Sequence, residues 1–148
     1  MRHSHVRFPT AVGATISVLA ALAATGCSDS FHALGTHTAT VSINGAAVEA
    51  TPKIRCHQAQ WTWFIETLDK SPGFQAQVQT GNTVKAKLIR IDDLGGFTGS
   101  AWQDEGTPVG AQATLVDGTM TISGVATGYF RDAPADTTTT PFEIRTDC

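Results

Sequence analysis

Three cysteines carry the most distinctive chemistry in this chain, and they lie far apart at Cys27, Cys56 and Cys148. A cysteine thiol can accept a lipid, bind a metal or pair in a disulfide, and the compartment and the neighbouring residues decide between these uses. An odd number of cysteines in an exported protein leaves one that is not used in an internal disulfide. The residues around each cysteine therefore indicate which of these uses applies to it.

Cys27 follows a stretch that is typical of an export signal. Arg2 and Arg7 precede an uncharged, mostly apolar and small-residue segment over 11–24. This segment is shorter than the roughly 20 residues that a transmembrane helix needs. A positive start, an apolar middle and small residues at the end predict a secretory signal peptide over residues 1–26, with an uncleaved anchor helix as the alternative.

The end of this signal, Ala24-Thr25-Gly26-Cys27, is similar to a bacterial lipobox. In such a motif the small residues give a peptidase access to the bond before the cysteine, whose thiol carries a diacylglycerol thioether. We predict that Cys27 is the lipidation site, with palmitate-type acyl chains that anchor the protein stably, at about 0.8 kcal/mol for each buried methylene. The alternative is a free thiol after an ordinary cleavage site.

The other two cysteines are predicted to form one disulfide. Once Cys27 carries lipid, only Cys56 and Cys148 remain, and export places them in an oxidising compartment. A bond across so long a loop stabilises the fold by about 4–5 kcal/mol in the chain-entropy model. The alternative is a pair of unpaired buried thiols.

The amino-acid composition and the net charge limit the number of domains and the classes of binding partner. The chain has 148 residues, of which 41% are apolar and 16% charged, enough for one domain with one core. Its net charge is −3, from 10 basic and 13 acidic residues. Because no basic surplus is available to neutralise phosphates, we expect no nucleic-acid partner.

Short alternating runs separated by turn residues indicate an all-β domain over residues 39–148. Asn44-Gly45 and Asp117-Gly118 are typical of two-residue hairpin turns. The apolar–polar alternation changes phase at Ile89, which predicts a β-bulge. Residues 132–140 contain Pro134 and four consecutive threonines, and we expect a loop there. The sequence therefore predicts a single antiparallel β-sandwich or a partly open barrel.

The remaining parts of the chain are a short tether and an aromatic strand. Residues 27–38 are mostly small and polar, which favours a flexible link between lipid and domain. The segment Trp61–Thr67 is aromatic and β-branched, which predicts a buried strand with Trp61 and Trp63 on one face and Phe64 on the other. Such a strand is either buried on both faces or leaves a surface patch for a partner or lipid.

The sequence matches none of the common catalytic or metal-binding motifs considered below. Zinc needs three or four converging ligands, whereas the histidines are scattered, two in the signal, two in the tether and one at His57. Ser100 and Ser123 lack the G-x-S-x-G context of a nucleophile elbow. The acidic pairs at 92–93 and 104–105 lack the calcium-loop pattern and are typical of solvated turns. We predict no metal, no cofactor and no enzymatic activity.

Several segments together carry a family likeness. They are Thr25-Gly26-Cys27, Val41-Ser-Ile-Asn-Gly45, Cys56, Thr121-Ile-Ser-Gly-Val-Ala-Thr-Gly128 and Phe142-Glu-Ile-Arg-Thr-Asp-Cys148. With these segments the chain resembles the mycobacterial lipoprotein antigen family of the LpqH and LppE type.

The resemblance implies a function. Members of that family are lipid-anchored, surface-exposed envelope proteins and antigens without enzymatic activity. We therefore expect an exported protein held to the outer face of the cell membrane by its N-terminal lipid, with an envelope lipid or a host receptor as further partner. The alternative is a carrier or binding module for an envelope lipid or another apolar ligand.

Overall fold

The structure is a computed structural model that describes residues 37–103 and 110–148. The predicted signal peptide, Cys27 and all but the last two residues of the predicted tether lie outside the described residues. Within those two ranges the regular elements are strands, and every strand pair is antiparallel. The prediction of an all-β domain is confirmed.

Ten strands follow one another along the described ranges. They are β1 (His37–Ile43), β2 (Ala46–Ala47), β3 (Lys53–Ala59), β4 (Thr62–Thr67), β5 (Gly73–Gln79), β6 (Lys85–Leu94), β7 (Phe97–Trp102), β8 (Gln112–Val116), β9 (Thr119–Phe130) and β10 (Ala133–Asp147).

The strands form one sheet, and the order of paired strands leads back to the strand at which it starts. The order is β10-β1-β3-β4-β5-β6-β7-β9-β8, and β9 also pairs with β10. Along one edge β9 pairs with β10, while its other edge pairs with β8 near its start and with β7 near its end. The sheet therefore closes in a ring, and the last strand lies between the first strand and β9.

The core is formed by the side chains that point to one face of this sheet. Successive residues of a strand point to opposite faces, so alternate positions are apolar and buried. The pattern is clear in β5, where Phe74, Ala76 and Val78 are buried and Gln75 and Gln79 are exposed. The largest fully buried side chains are Phe97, Ile54, Ile65, Ile89, Leu94, Met120, Ile122 and Ile144.

The predicted turns and the predicted bulge are confirmed. Asn44-Gly45 and Asp117-Gly118 adopt positive φ angles at both residues, as a type I′ hairpin turn requires. Between β5 and β6 the register passes from Gln77 opposite Leu88 to Val78 opposite Ala86. Lys87 is thus an extra residue, and it allows both Ala86 and Ile89 to face the core.

The loop predicted over residues 132–140 is wrong. β10 begins at Ala133, and from Thr138 onward it pairs continuously with β9. Threonine is β-branched and favours extended backbone, which outweighs the turn tendency that the sequence suggested. The register shift between Ala133 and Thr138 falls on residues 134–137, which have no partner in the β9 register and are all exposed.

The placement of Trp61 in a buried strand is also wrong. Ala59 pairs with Thr62, so Gln60 and Trp61 form the turn between β3 and β4. Gln60 has a φ of 54°, and Trp61 is 67% exposed. Trp63 packs against the core, whereas Phe64 lies on the opposite face and is half-buried.

Candidate ligand groove

The cysteines lie where the ring brings the ends of the domain together. Cys56 in β3 and Cys148 just after β10 form a disulfide with 5.9 Å between their Cα atoms and a sequence separation of 92. This is the pairing that the sequence predicts. β1 pairs with both β3 and β10, which explains how residues so distant in sequence become neighbours. Cys27 lies outside the described residues.

Polar side chains form a continuous row on the face of the sheet that points away from the core. Each member lies opposite the next across a strand pair, from β3 through β4, β5, β6 and β7 to β9. We call these residues the polar row: Arg55, Glu66, Gln75, Arg90, Ser100 and Thr127.

The polar row lies in a groove of about 740 Å³. The turn between β4 and β5 forms one wall with Leu68 and Lys70, and Tyr129 lies at the β9 side. Charged groups, amides and hydroxyls thus alternate with apolar patches along its lining. A groove with a few convergent polar groups is the usual form of a small-ligand site.

Two glycines allow the strands under the groove to approach closely. Gly99 in β7 pairs with Gly128 in β9, and both line the groove. A Cβ on Gly128 would collide with the carbonyl oxygen of Thr98, and a Cβ on Gly99 would lie 2.6 Å from the ring of Phe97. Glycine is therefore required for this packing, and backbone forms the groove lining at this point.

The charges of the polar row differ in how they are compensated. Arg55 Nη1 lies 3.2 Å from Glu66 Oε1 and forms a salt bridge. The nearby Asp92 carboxylate accepts a hydrogen bond of 2.9 Å from the Ser71 hydroxyl. Arg90 lies between the neutral Gln75 and Ser100 and takes part in none of the ion pairs of residues 37–103 and 110–148. Within the described ranges its guanidinium has no salt-bridge partner, and Asp92, exposed two residues further along β6, lines the same groove.

A second row of different chemistry runs beside the first. His57, Phe64, Gln77, Leu88 and Trp102 are successive cross-strand partners on the same face. The rings of His57 and Phe64 stack with centroids 4.8 Å apart, and Trp102 is 55% exposed. We call these five residues the aromatic row. Phe64 and Trp102 thus contribute to the surface patch that the sequence left open.

The hollow beside Trp61 has a mixed lining, in which one large aromatic side chain lies among polar residues. It has a volume of about 560 Å³, and the other lining residues are Lys85 and the segment Gln79–Thr83. An apolar cavity near Trp61 and Trp63 would have favoured a lipid carrier. Here Trp61 faces amides, a hydroxyl-rich turn and a lysine, and Trp63 packs on the core.

Residues 37–103 and 110–148 contain neither a metal-binding cluster nor a membrane-spanning helix. There, no three side chains among His, Cys, Asp and Glu converge on one point that would hold a metal ion. Residues 37–103 and 110–148 also include no helix of the length and apolarity needed to cross a bilayer.

The comparison with protein families decides the relationship. Residues 32–148 match the family described as Mycobacterium 19 kDa lipoprotein antigen. The chain belongs to this family. The match spans every strand of the domain and both cysteines of the disulfide, and it confirms the resemblance found in the sequence. Family membership also associates the protein with the mycobacterial envelope.

Two relatives extend this result. A protein named "Putative lipoprotein" from Mycobacterium avium subsp. hominissuis (strain TH135) is 32% identical over 148 residues, covering 97% of this chain and all of the relative. A second "Putative lipoprotein", from Mycobacterium indicus pranii, is 29% identical over 112 residues, covering 75% of this chain and 78% of the relative. Both names agree with the family.

Sequence reasoning missed the polar row. Its members come from six strands, and each looks like an ordinary solvent-facing residue when a strand is read alone. Only the cross-strand register places Arg90 beside Gln75 and Ser100. The alternation of Gln75 with buried Phe74 and Ala76 identified the exposed face, but nothing in one strand shows which residue of another strand lies opposite.

Proposed function

We propose that this protein is a non-catalytic lipoprotein, anchored to the outer face of the cell membrane by lipid on Cys27, that acts through interactions at the exposed face of its sheet. Three observations support the proposal: membership of the lipoprotein antigen family, the Thr25-Gly26-Cys27 motif, and the groove that holds the polar row. The groove is the observation that carries the interaction role.

The side chains of the groove are suited to binding rather than to catalysis. A nucleophilic serine needs a neighbouring general base that accepts its proton. The cross-strand neighbours of Ser100 are Arg90 and Thr127, and neither is such a base. The carboxylate of Glu66 is engaged by Arg55. The arrangement presents fixed hydrogen-bonding groups to a partner, which is what a display or recognition protein requires.

The second candidate is a module that binds an envelope lipid or another apolar ligand. The exposed Trp102 and the half-buried Leu88 of the aromatic row favour it, since an exposed apolar patch marks a partner or lipid site. The charged and hydrogen-bonding side chains that line the groove favour the first candidate. Under either candidate, the partner, a host receptor or an envelope lipid, would contact the outer face of the sheet.

Replacement of Cys27 tests the anchor. We expect Cys27→Ala to abolish incorporation of a fatty-acid probe and to move the protein from the detergent phase to the aqueous phase, because the thioether cannot form. Ser28→Ala is the matched control and should behave like the wild type. Protease treatment of spheroplasts should degrade the wild-type domain while cytosolic proteins survive. Undiminished fatty-acid labelling of Cys27→Ala would contradict lipidation at this residue.

A further inference from the structure

We infer that the groove binds a phosphorylated sugar or polyol, with Arg90 holding the phosphate and its neighbours in the polar row holding hydroxyls. This inference rests on the proposed surface role and names the chemistry of the partner. A phosphorylated polyol occurs both as a soluble sugar phosphate and as the headgroup of a lipid. The shared chemistry is a phosphate group next to several hydroxyls.

Arg90 supplies the anion contact. A guanidinium presents five donors in a rigid plane and binds phosphate through two parallel hydrogen bonds. Arg55 in the same row is already paired with Glu66, whereas Arg90 has only Gln75 and Ser100 as its cross-strand neighbours. The chain as a whole is acidic, with a net charge of −3, so a positive centre in the groove is a local feature.

The neighbours of Arg90 supply the groups that hydroxyls require. Gln75 offers both a donor and an acceptor, and the hydroxyls of Ser100 and Thr127 each do the same. Cross-strand neighbours have Cβ atoms about 4.5–5.5 Å apart, so one small ligand reaches the residues on both sides of Arg90. Tyr129, 41% exposed, adds an aromatic surface at the edge of the groove, and Lys70 adds a third cation beside Arg55 and Arg90.

The mixed lining distinguishes this ligand from other anions. A bare phosphate would use Arg90 and leave the amide and hydroxyls of the row without a ligand contact. A nucleic acid would require a broad basic surface, and the groove instead has Glu66 and Asp92 beside its cations. A compact ligand with one anionic group and several hydroxyls contacts both Arg90 and the uncharged hydrogen-bonding residues beside it.

Calorimetric titration of the processed lipoprotein, produced in a mycobacterial host and extracted in detergent, tests the inference. The probes are glucose 6-phosphate, glucose, inorganic phosphate and glycerophosphoinositol, the last being the soluble headgroup of a phosphoinositide lipid. We expect glucose 6-phosphate or glycerophosphoinositol to bind at least tenfold more tightly than glucose and inorganic phosphate. The tighter of the two identifies a soluble or a lipid source.

Two matched pairs of variants locate the site. Arg90→Gln should weaken binding by about tenfold or more, as expected for loss of a charge-assisted contact. Arg145→Gln removes the same charge from β10, outside the groove, and should bind like the wild type. Gln75→Glu places a carboxylate opposite Arg90 and should also weaken binding, whereas Gln77→Glu, one row away on the same strand, should not.

Several results would overturn the inference. They are an equal affinity for inorganic phosphate, equal effects of Arg90→Gln and Arg145→Gln, and no binding of either phosphorylated polyol. Thermal unfolding of each variant verifies that the fold is retained, which is expected because all four residues are on the outer face. Failure of this titration leaves fatty-acid labelling of Cys27 unaffected, so failure of the inference and failure of the anchor are distinguishable.

Discussion

The two faces of the sheet are built from the same strands but carry different side chains. In β6, Ala86, Ile89 and Ile91 are buried in the core, while Lys85 and Arg90 are exposed on the other side. The core face is apolar along most of the ring, and the opposite face carries the polar row and the aromatic row. A step of one residue along a strand therefore separates the apolar side chains of the core from the polar and aromatic side chains of the outer face.

This separation depends on the bulge at Lys87. Without the extra residue, a strict alternation that buries Ala86 would bury Leu88 and Arg90 and expose Ile89. The bulge resets the phase, so that Ile89 faces the core and Arg90 faces the groove. The comparison of the two faces predicts that core substitutions lower the free energy of unfolding strongly, whereas groove substitutions change it little.

The largest effect is expected from Phe97→Ala. Phe97 is fully buried, and its ring contacts Phe130 with centroids 5.2 Å apart. Truncation should lower the free energy of unfolding by about 3–5 kcal/mol, because it removes a large apolar side chain and leaves a cavity. Trp102→Ala, on the same strand but facing outward, should change it much less. Urea unfolding measures both, and equal losses would contradict the assignment of faces.

Loss of the disulfide comes next. Cys56→Ala together with Cys148→Ala should destabilise the domain by about 2–5 kcal/mol, because the unfolded chain gains the freedom of a long loop. Reduction of the wild-type protein should give a similar loss in the same urea titration. Intact-mass measurement after alkylation, with and without reductant, should detect no free thiol in the unreduced, exported protein. Two alkylated thiols there would contradict the bond.

Gly128→Ala should have an intermediate effect. Its new methyl group would collide with the Thr98 carbonyl oxygen, so β7 and β9 must move apart. Overpacking of this kind costs about 1–3 kcal/mol, visible as a lower urea midpoint. Thr127→Ala, the preceding residue on the outer face, is the control and should be close to neutral. A neutral Gly128→Ala would show that the strands are not closely apposed here.

The smallest effect on stability is expected from Arg90→Gln. The residue is exposed and outside the ion pairs of the described ranges, so its replacement should change the free energy of unfolding by no more than about 0.5 kcal/mol. Urea titration measures this, and Ile89→Ala is the contrast, with an expected loss of about 2–5 kcal/mol. A loss from Arg90→Gln as large as that from Ile89→Ala would mean that Arg90 supports the fold.

Local patterns in the sequence account for much of the fold. The alternation of apolar and polar residues predicts the buried side of β5. One Asn-Gly pair and one Asp-Gly pair predict the two hairpin turns. The phase change near Ile89 identified the bulge. These features depend on residues within a few positions of one another, so a single sequence contains the necessary information.

Features that depend on distant partners were not accessible in this way. The segment over 132–140 has the composition of a loop, but pairing with β9 holds most of it in β10. The polar row requires the register of six strands, and each register is set by core packing on the opposite face. Trp61 belongs to an aromatic run, yet the pairing of Ala59 with Thr62 places it in an exposed turn.

The closed ring imposes an order on the assembly of the domain. Synthesis produces β1 first and β10 last, and β10 fills the gap between β1 and β9. Until the final residues emerge, both strands have unpaired edges that can bind foreign strands and aggregate. These edges are therefore open until β10 pairs with them, and a chain truncated before β10 leaves them permanently open.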